Sequence, residues 1–394
     1  MVASSISIRV SSFISSKYIF HLNYMHFYFY LSYHNLDFHS ISILNLLAIW
    51  SIIFVSIFKV VAMPYLFVHF KEKITPDGEA VYFGISKDGL NFKAVNKGNP
   101  ILMPKLGEGC RDIEIVRLKD GSFVIITTDL CVANRYDQNM CLDWRDINHN
   151  GSKCLHIWKT KDLVNFSEEK LQHFGRDDFG CMWAPEVIYD DKRDEYIIHW
   201  GSTVKETDFE HMSIYCSTTK DFESFTPPKL FFDKNNEILD SHIRKIGDKY
   251  HLFYKNSNNP AMNMHATSTD VYGPYEHDEA FEKYMHTVPK PGSYEGPTSY
   301  ILPDGRWCLM LDYFGCKKSK MGYVPFISPT PGVSDFKRAK EKFSFPYGFK
   351  HGGVIEITLE EYTRLENYRN SYNFPKGTGE KSFFQKLCFW KKQL

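Results

Sequence analysis

Four acidic residues recur at matching places in a repeating unit, and the repeat constrains the fold more than any other feature of the chain. Asp112, Glu186, Asp240 and Glu295 each stand seven to ten residues before a turn that leads into an aromatic-rich strand. The turns read Asp120-Gly121-Ser122, Asp194-Glu195, Gly247-Asp248-Lys249 and Asp304-Gly305-Arg306, combinations that signal tight hairpins. The runs Val124-Ile125-Ile126, Ile197-Ile198-His199-Trp200, His251-Leu252-Phe253-Tyr254 and Cys308-Leu309-Met310-Leu311 follow them. Polar segments ending in an aromatic come next: Ser86 to Phe92, Thr160 to Phe166, Thr219 to Phe225, Ser268 to Tyr275 and, more loosely, Ser328 to Phe336. Five copies, with aromatic ends 50 to 74 residues apart, suit the blades of a propeller.

Periodicity supports sheets. Between Tyr65 and Thr358 no twelve-residue stretch carries apolar residues at helical spacing, whereas short Val, Ile, Tyr, Phe and Trp runs bounded by Gly, Asp, Asn and Pro recur throughout. The expected fold is all-β, a five-bladed propeller forming one domain over residues 63–360. Tyr65 to Phe70 and Ala80 to Ile85 precede the first complete repeat, and they are expected to close the ring by pairing with strands around Gly352 to Ile357. Thr358 to Tyr368 reads as a short helix, and residues 361–394 end in a basic, aromatic tail.

Lys plus Arg equals Asp plus Glu at 47 each, so no bulk charge attracts nucleic acid. The nine cysteines form no zinc or haem spacing. Residues 1–62 are a different kind of sequence, with Arg9, Lys17 and Lys59 as the only Lys or Arg residues and Asp37 as the only acid. The stretch 43–62 is about the ~20 residues that cross a bilayer. It would be a membrane anchor or atypical secretion signal, or else translation begins at Met63 and the upstream segment is not part of the protein. The second reading is preferred, because some forty aromatic-rich residues come before the apolar run where a signal would place a short basic region. It implies a cytoplasmic protein, with membrane contact only if 43–62 is real.

The blocks Trp183-Ala184-Pro185-Glu186-Val187, Ile238-Leu239-Asp240-Ser241-His242-Ile243 and Tyr294-Glu295-Gly296-Pro297-Thr298, after Arg111-Asp112-Ile113, resemble the signature blocks of glycoside hydrolase family 43. The resemblance covers roughly residues 64 to 360. The stretch Phe343 to Gly352 and the start at Met63 are similar to a branch that lacks a secretion signal. The resemblance implies a five-bladed propeller that cleaves arabinose- or xylose-containing oligosaccharides with inversion, as an exo-acting α-L-arabinofuranosidase or β-xylosidase that works by carboxylate chemistry alone.

Inversion needs one ionised carboxylate to take a proton from water and one protonated carboxyl to donate to the leaving oxygen, ~6.5–9.5 Å apart. The resemblance implies Asp112 as general base, Glu295 as general acid and Asp240 as the residue that holds the acid's pKa high by like-charge proximity. Glu186, Trp183 and His351 are candidate substrate-binding residues. His351 resembles a histidine near the propeller axis that, in some relatives, helps hold a calcium or other ion through water, although a lone histidine is more often a satisfied pocket residue. No cofactor is otherwise required. Asp112 precedes Ile113 and Asp240 precedes Ser241 where the family usually has proline. An acid beside a turn is ordinarily a solvated or turn-capping residue; four in register favour the chemical reading. The alternatives are a catalytically silent sugar-binding propeller and a retaining fructosidase-like propeller, the latter lacking its early Asn-Asp-Pro block here.

Overall fold

The computed structural model describes residues 63–370 except 74, 76, 175, 289–291, 316–320 and 346–349. The apolar stretch 43–62 and the tail from 371 onward lie outside the described residues.

Five four-stranded antiparallel sheets make up the body. Strands β1 (Tyr65–His69), β2 (Tyr82–Ser86) and β3 (Lys93–Ala94) begin the blade that closes the ring. The next blade holds β4 (Cys110–Arg117), β5 (Phe123–Asp129), β6 (Cys154–Thr160) and β7 (Lys170–His173). It is followed by β8 (Trp183–Asp190), β9 (Glu195–Ser202), β10 (Ser213–Thr219) and β11 (Lys229–Phe232). The fourth blade comprises β12 (Ile238–Ile246), β13 (Lys249–Asn256), β14 (Asn263–Ser268) and β15 (Glu276–His277). The fifth comprises β16 (Ser293–Ile301), β17 (Trp307–Phe314), β18 (Gly322–Ser328) and β19 (Lys337–Arg338). Strand β20 (Val354–Glu356) then returns to β1, pairing Tyr65 with Glu356 and Phe67 with Val354. The expected closure by the two ends of the domain is therefore present. Gly352 makes it sterically feasible, because a Cβ there would lie 1.9 Å from the Val68 carbonyl oxygen.

Three of the polar segments after the third strand of a blade are turns locked by side chains in the same way. Ser86, Thr160 and Thr219 hydroxyls accept backbone N–H bonds from Gly89, Leu163 and Phe222. The carboxylates of Asp88, Asp162 and Asp221 accept from the residues that follow them. These acids lock turns, unlike the four acids of the inner strands. Aromatic residues fill the layers between strands: Trp200, Trp307, Phe123, Phe222 and Phe253 are fully buried, which accounts for much of the aromatic content.

Helices are few and short: α1 (Trp144–His149), α2 (Glu279–Thr287) and α3 (Leu359–Asn367). The last begins with a capping box between Thr358 and Glu361, and Tyr362 and Leu365 pack into the core. Among the described residues no helix is long and apolar enough to cross a membrane.

Candidate active site

The innermost strands β4, β8, β12 and β16 each carry a one-residue register shift at the same height. The shifts fall between Arg111 and Glu114, Trp183 and Glu186, Leu239 and His242, and Glu295 and Thr298. One residue of each bulge takes left-handed φ: Asp112, Ala184, Asp240 and Gly296. Bulges re-aim side chains beside active sites, and here they sort the four acids. Asp112 and Asp240 occupy the same bulge position, Glu295 precedes it by one residue and Glu186 follows it by two. The four are not equivalents of one another; Glu186 corresponds to Glu114 and His242, and Glu295 to Arg111, Trp183 and Leu239.

Asp112 and Asp240 converge on His351. The His351 Nδ1 atom lies 3.3 Å from Asp112 Oδ1 and 4.0 Å from Asp240 Oδ1. Burial disfavours a charged imidazole, but Asp240, Asp112 and Glu295 outweigh it and raise His351 to about 10. In return, burial of Asp112 is outweighed by His351, by Arg111 and by the Thr128 hydroxyl, which donates at 2.9 Å. Its carboxyl is held at about 2. Asp240 goes the other way: burial and the nearby Glu295 and Asp112 carboxylates raise it despite His351 and Lys255. Its Oδ2 accepts the Gly296 N–H at 3.1 Å, so Asp240 grips the backbone immediately after Glu295. Gly296 also lets His351 approach, since a Cβ there would lie 2.7 Å from the ring.

Glu295 is clamped by cations. Lys255 Nζ donates to its Oε2 at 2.7 Å, and Lys350 Nζ stands 3.9 Å from Oε1. Burial raises its pKa, but Lys255, Lys350 and His351 together bring it below the ordinary glutamate value. This direction differs from the expectation that Asp240 keeps Glu295 protonated. Lys350 is shared with the fully buried Asp312, 2.9 Å away. Burial raises Asp312 to about 6 in spite of that lysine.

Glu186 takes a different part. His242 Nδ1 lies 2.8 Å from its Oε2, while the Ser299 N–H donates to His242 Nε2 at 3.1 Å. Nε2 is thus the acceptor and Nδ1 carries the hydrogen donated to Glu186. Burial lowers His242 to about 3, which agrees with a neutral ring. Burial and Asp240 raise Glu186 well above the normal range, and burial and Glu186 do the same to Glu114.

Asp112, Asp240, Glu295, Trp183 and His351 line one cavity of about 400 Å³, together with Arg111, Lys255 and Lys350. Glu186 is not among its lining residues. Arg111 is fixed by Glu79 at 2.7 Å and Glu72 at 3.4 Å. Sequence reasoning missed Lys255, Lys350 and Asp312, although a lysine in Phe253-Tyr254-Lys255 and an aspartate after Leu309-Met310-Leu311 are charges inside apolar runs, a detectable signal. Among the described residues no three His, Cys, Asp or Glu side chains group to hold a metal ion. His351, the candidate calcium-binding residue, is itself held as a cation between two carboxylates. The donor set does not fit a directly ligated calcium ion there.

A family model described as a probable glycosyl hydrolase domain, of the family 43-related group, matches residues 62–363. An α-L-arabinofuranosidase of Bifidobacterium longum is 26% identical over 201 residues, which are 46% of this chain and 18% of that protein. The chain thus spans under a fifth of that curated relative. A family 43 protein of Bacillus licheniformis superposes with a TM-score of 0.49 at 16% identity, covering 72% of this chain and 57% of the other. An endo-arabinase of Bacteroides thetaiotaomicron superposes with a TM-score of 0.44 at 14% identity, covering 65% and 95%. The chain belongs to the family 43-related glycosyl hydrolases.

Proposed function

We propose that the protein hydrolyses arabinose- or xylose-containing oligosaccharides with inversion, as an exo-acting α-L-arabinofuranosidase or β-xylosidase. The observation that carries the reading is geometric: Asp112, held ionised, and Glu295 line one cavity with Asp240, whose carboxylate accepts from the backbone immediately after Glu295. The arabinofuranosidase relative supports the choice of sugar.

In this mechanism Asp112 accepts a proton from water, which attacks the anomeric carbon, while Glu295 protonates the departing oxygen. Asp240 positions the acid through the Gly296 amide. Glu295 can donate only after it has gained a proton, so the bound sugar must separate it from Lys255, whose ammonium otherwise favours the carboxylate. Location belongs to the same proposal: translation from Met63 and action in the cytoplasm on short imported oligosaccharides, which sequencing the N-terminus of the mature protein checks. A panel of aryl α-L-arabinofuranosides and β-xylosides tests the activity. Turnover of one of them is expected; a folded protein inert on both would remove the reading.

A further inference from the structure

One register position on the second strand of each blade stands beside the bulge of the inner strand. The residues paired last before the four bulges, Arg111, Trp183, Leu239 and Glu295, face Thr128, Gly201, Lys255 and Asp312 across the ladder. Lys255 and Asp312 belong to the charge balance around Glu295. Gly201 stands in the blade whose bulge has Ala184 at the left-handed position in place of an acid. Thr128 is the remaining polar member of the row, and it is fully buried.

Its hydroxyl joins two blades. The Ala184 N–H, at the left-handed residue of the neighbouring bulge, donates to Thr128 Oγ1 at 2.8 Å, and Oγ1 donates to Asp112 Oδ2 at 2.9 Å. A hydroxyl carries one hydrogen and an ionised carboxylate can only accept, so the direction of the relay is fixed from amide to hydroxyl to base. β-Branching restricts χ1 of the threonine, and burial keeps bulk solvent from replacing either partner. The next pair of blades makes the same link without an intermediary. Asp240 Oδ2 accepts directly from the Gly296 N–H, again an amide at the left-handed residue of the following bulge. Both acids at the shared bulge position are therefore tied through Oδ2 to the bulge of the blade that follows. On Asp112 the other oxygen, Oδ1, faces His351 at 3.3 Å, so the carboxylate is held from two sides and keeps further lone pairs for a water in the cavity.

We propose that Thr128 is the positioning residue of the base: its hydroxyl sets the plane of the Asp112 carboxylate, and with it the direction in which the attacking water is held. The inference rests on the glycosidase reading above, and it makes the bulge that carries Trp183 and Ala184 part of the base's support. A carboxylate turned away from the line of attack costs rate and leaves sugar binding intact.

The test is initial rates of the full chain on the aryl glycoside that the wild type turns over. Thr128→Val keeps the shape and removes the hydroxyl; kcat should fall about ten- to hundredfold with KM unchanged, and Thr128→Ser should recover most of the loss. Thr127→Val removes a buried hydroxyl from the adjacent residue, whose side chain lies on the other face of β5, and should keep the wild-type kcat. If the valine variant at 128 does not fold, Thr128→Ser and Thr128→Ala, which differ only in the hydroxyl, give the same comparison. A kcat equal for valine and threonine, or for serine and alanine, would overturn the positioning role while leaving the glycosidase reading intact. A loss confined to KM, or an equal loss of kcat in Thr127→Val, does the same. A folded wild type inert on both classes of aryl glycoside removes the glycosidase reading and this inference with it.

Discussion

Lys255 Nζ lies 2.7 Å from Glu295 Oε2, and this ion pair sets the protonation state of the carboxyl assigned to donate a proton. The other groups facing Glu295 are Lys350, His351, Asp240 and Asp312. The balance of these charges leaves Glu295 below its ordinary pKa. Removing a cation makes the carboxyl hold its proton more tightly, so Lys255→Met raises the Glu295 pKa. Because the acid must be protonated, the alkaline limb of the kcat/KM profile should move to higher pH by about one unit or more. A limb that stays where it is would separate Lys255 from the acid's titration.

His351 acts on the other side of the reaction. It is the first group that offsets the burial of Asp112 and holds that carboxyl at about 2. His351→Gln removes the cation, raises the Asp112 pKa and should move the acidic limb of kcat/KM upward. Stability carries a second signature. The folded-state pKa of His351 is about 10, above the ~6.5 of an unfolded histidine. Its contribution is therefore complete below about pH 6.5 and is lost as pH rises through 10. The Tm gap between wild type and His351→Gln should narrow between pH 7 and 10; a constant gap would show that the imidazolium is not what the fold stabilises.

Glu186 and Glu295 should respond differently to the same isosteric change. Glu186 accepts from His242, and burial and Asp240 raise its pKa, so glutamine keeps its acceptor and its shape. Glu186→Gln is expected to cost less than about tenfold in kcat, and Glu295→Gln about 10²–10⁴-fold, the range for loss of a general acid. Equal losses in the two variants would contradict the division of roles.

Gly296 sits at φ 53° with His351 against its α-carbon. Gly296→Ala adds a methyl that displaces the imidazole from Asp112 and Asp240 and strains the backbone. Activity should drop at least about tenfold and stability by about 1 kcal/mol or more, measurable by initial rates and chemical denaturation. Near-wild-type rates would show that His351 can shift without consequence.

Much of the fold was legible because a propeller repeats its local signals. The hairpin turns and the aromatic segments marked the blades, and Tyr65 to His69 found its partner in Val354–Glu356. The acids themselves were visible on the inner strands, but their different places relative to the bulges were not. A bulge adds one residue to one strand without altering composition, so spacing to the next turn could not show that Asp112 matches Ala184 and Glu186 matches Glu114. The lysines were hidden for a different reason. Lys255 and Lys350 reach Glu295 from β13 and from the segment before β20, and such a meeting depends on the closed ring.

The anomeric configuration of the first product tests the central assignment most directly. The full chain should be followed by proton NMR on an aryl α-L-arabinofuranoside or β-xyloside at early times, before mutarotation. Asp112 as a base that activates water requires the product to appear with inverted configuration, and Asp112→Asn should abolish its appearance on that timescale. A product released with retained configuration would contradict the account, because Asp112 could not then be the residue that delivers water to the anomeric carbon.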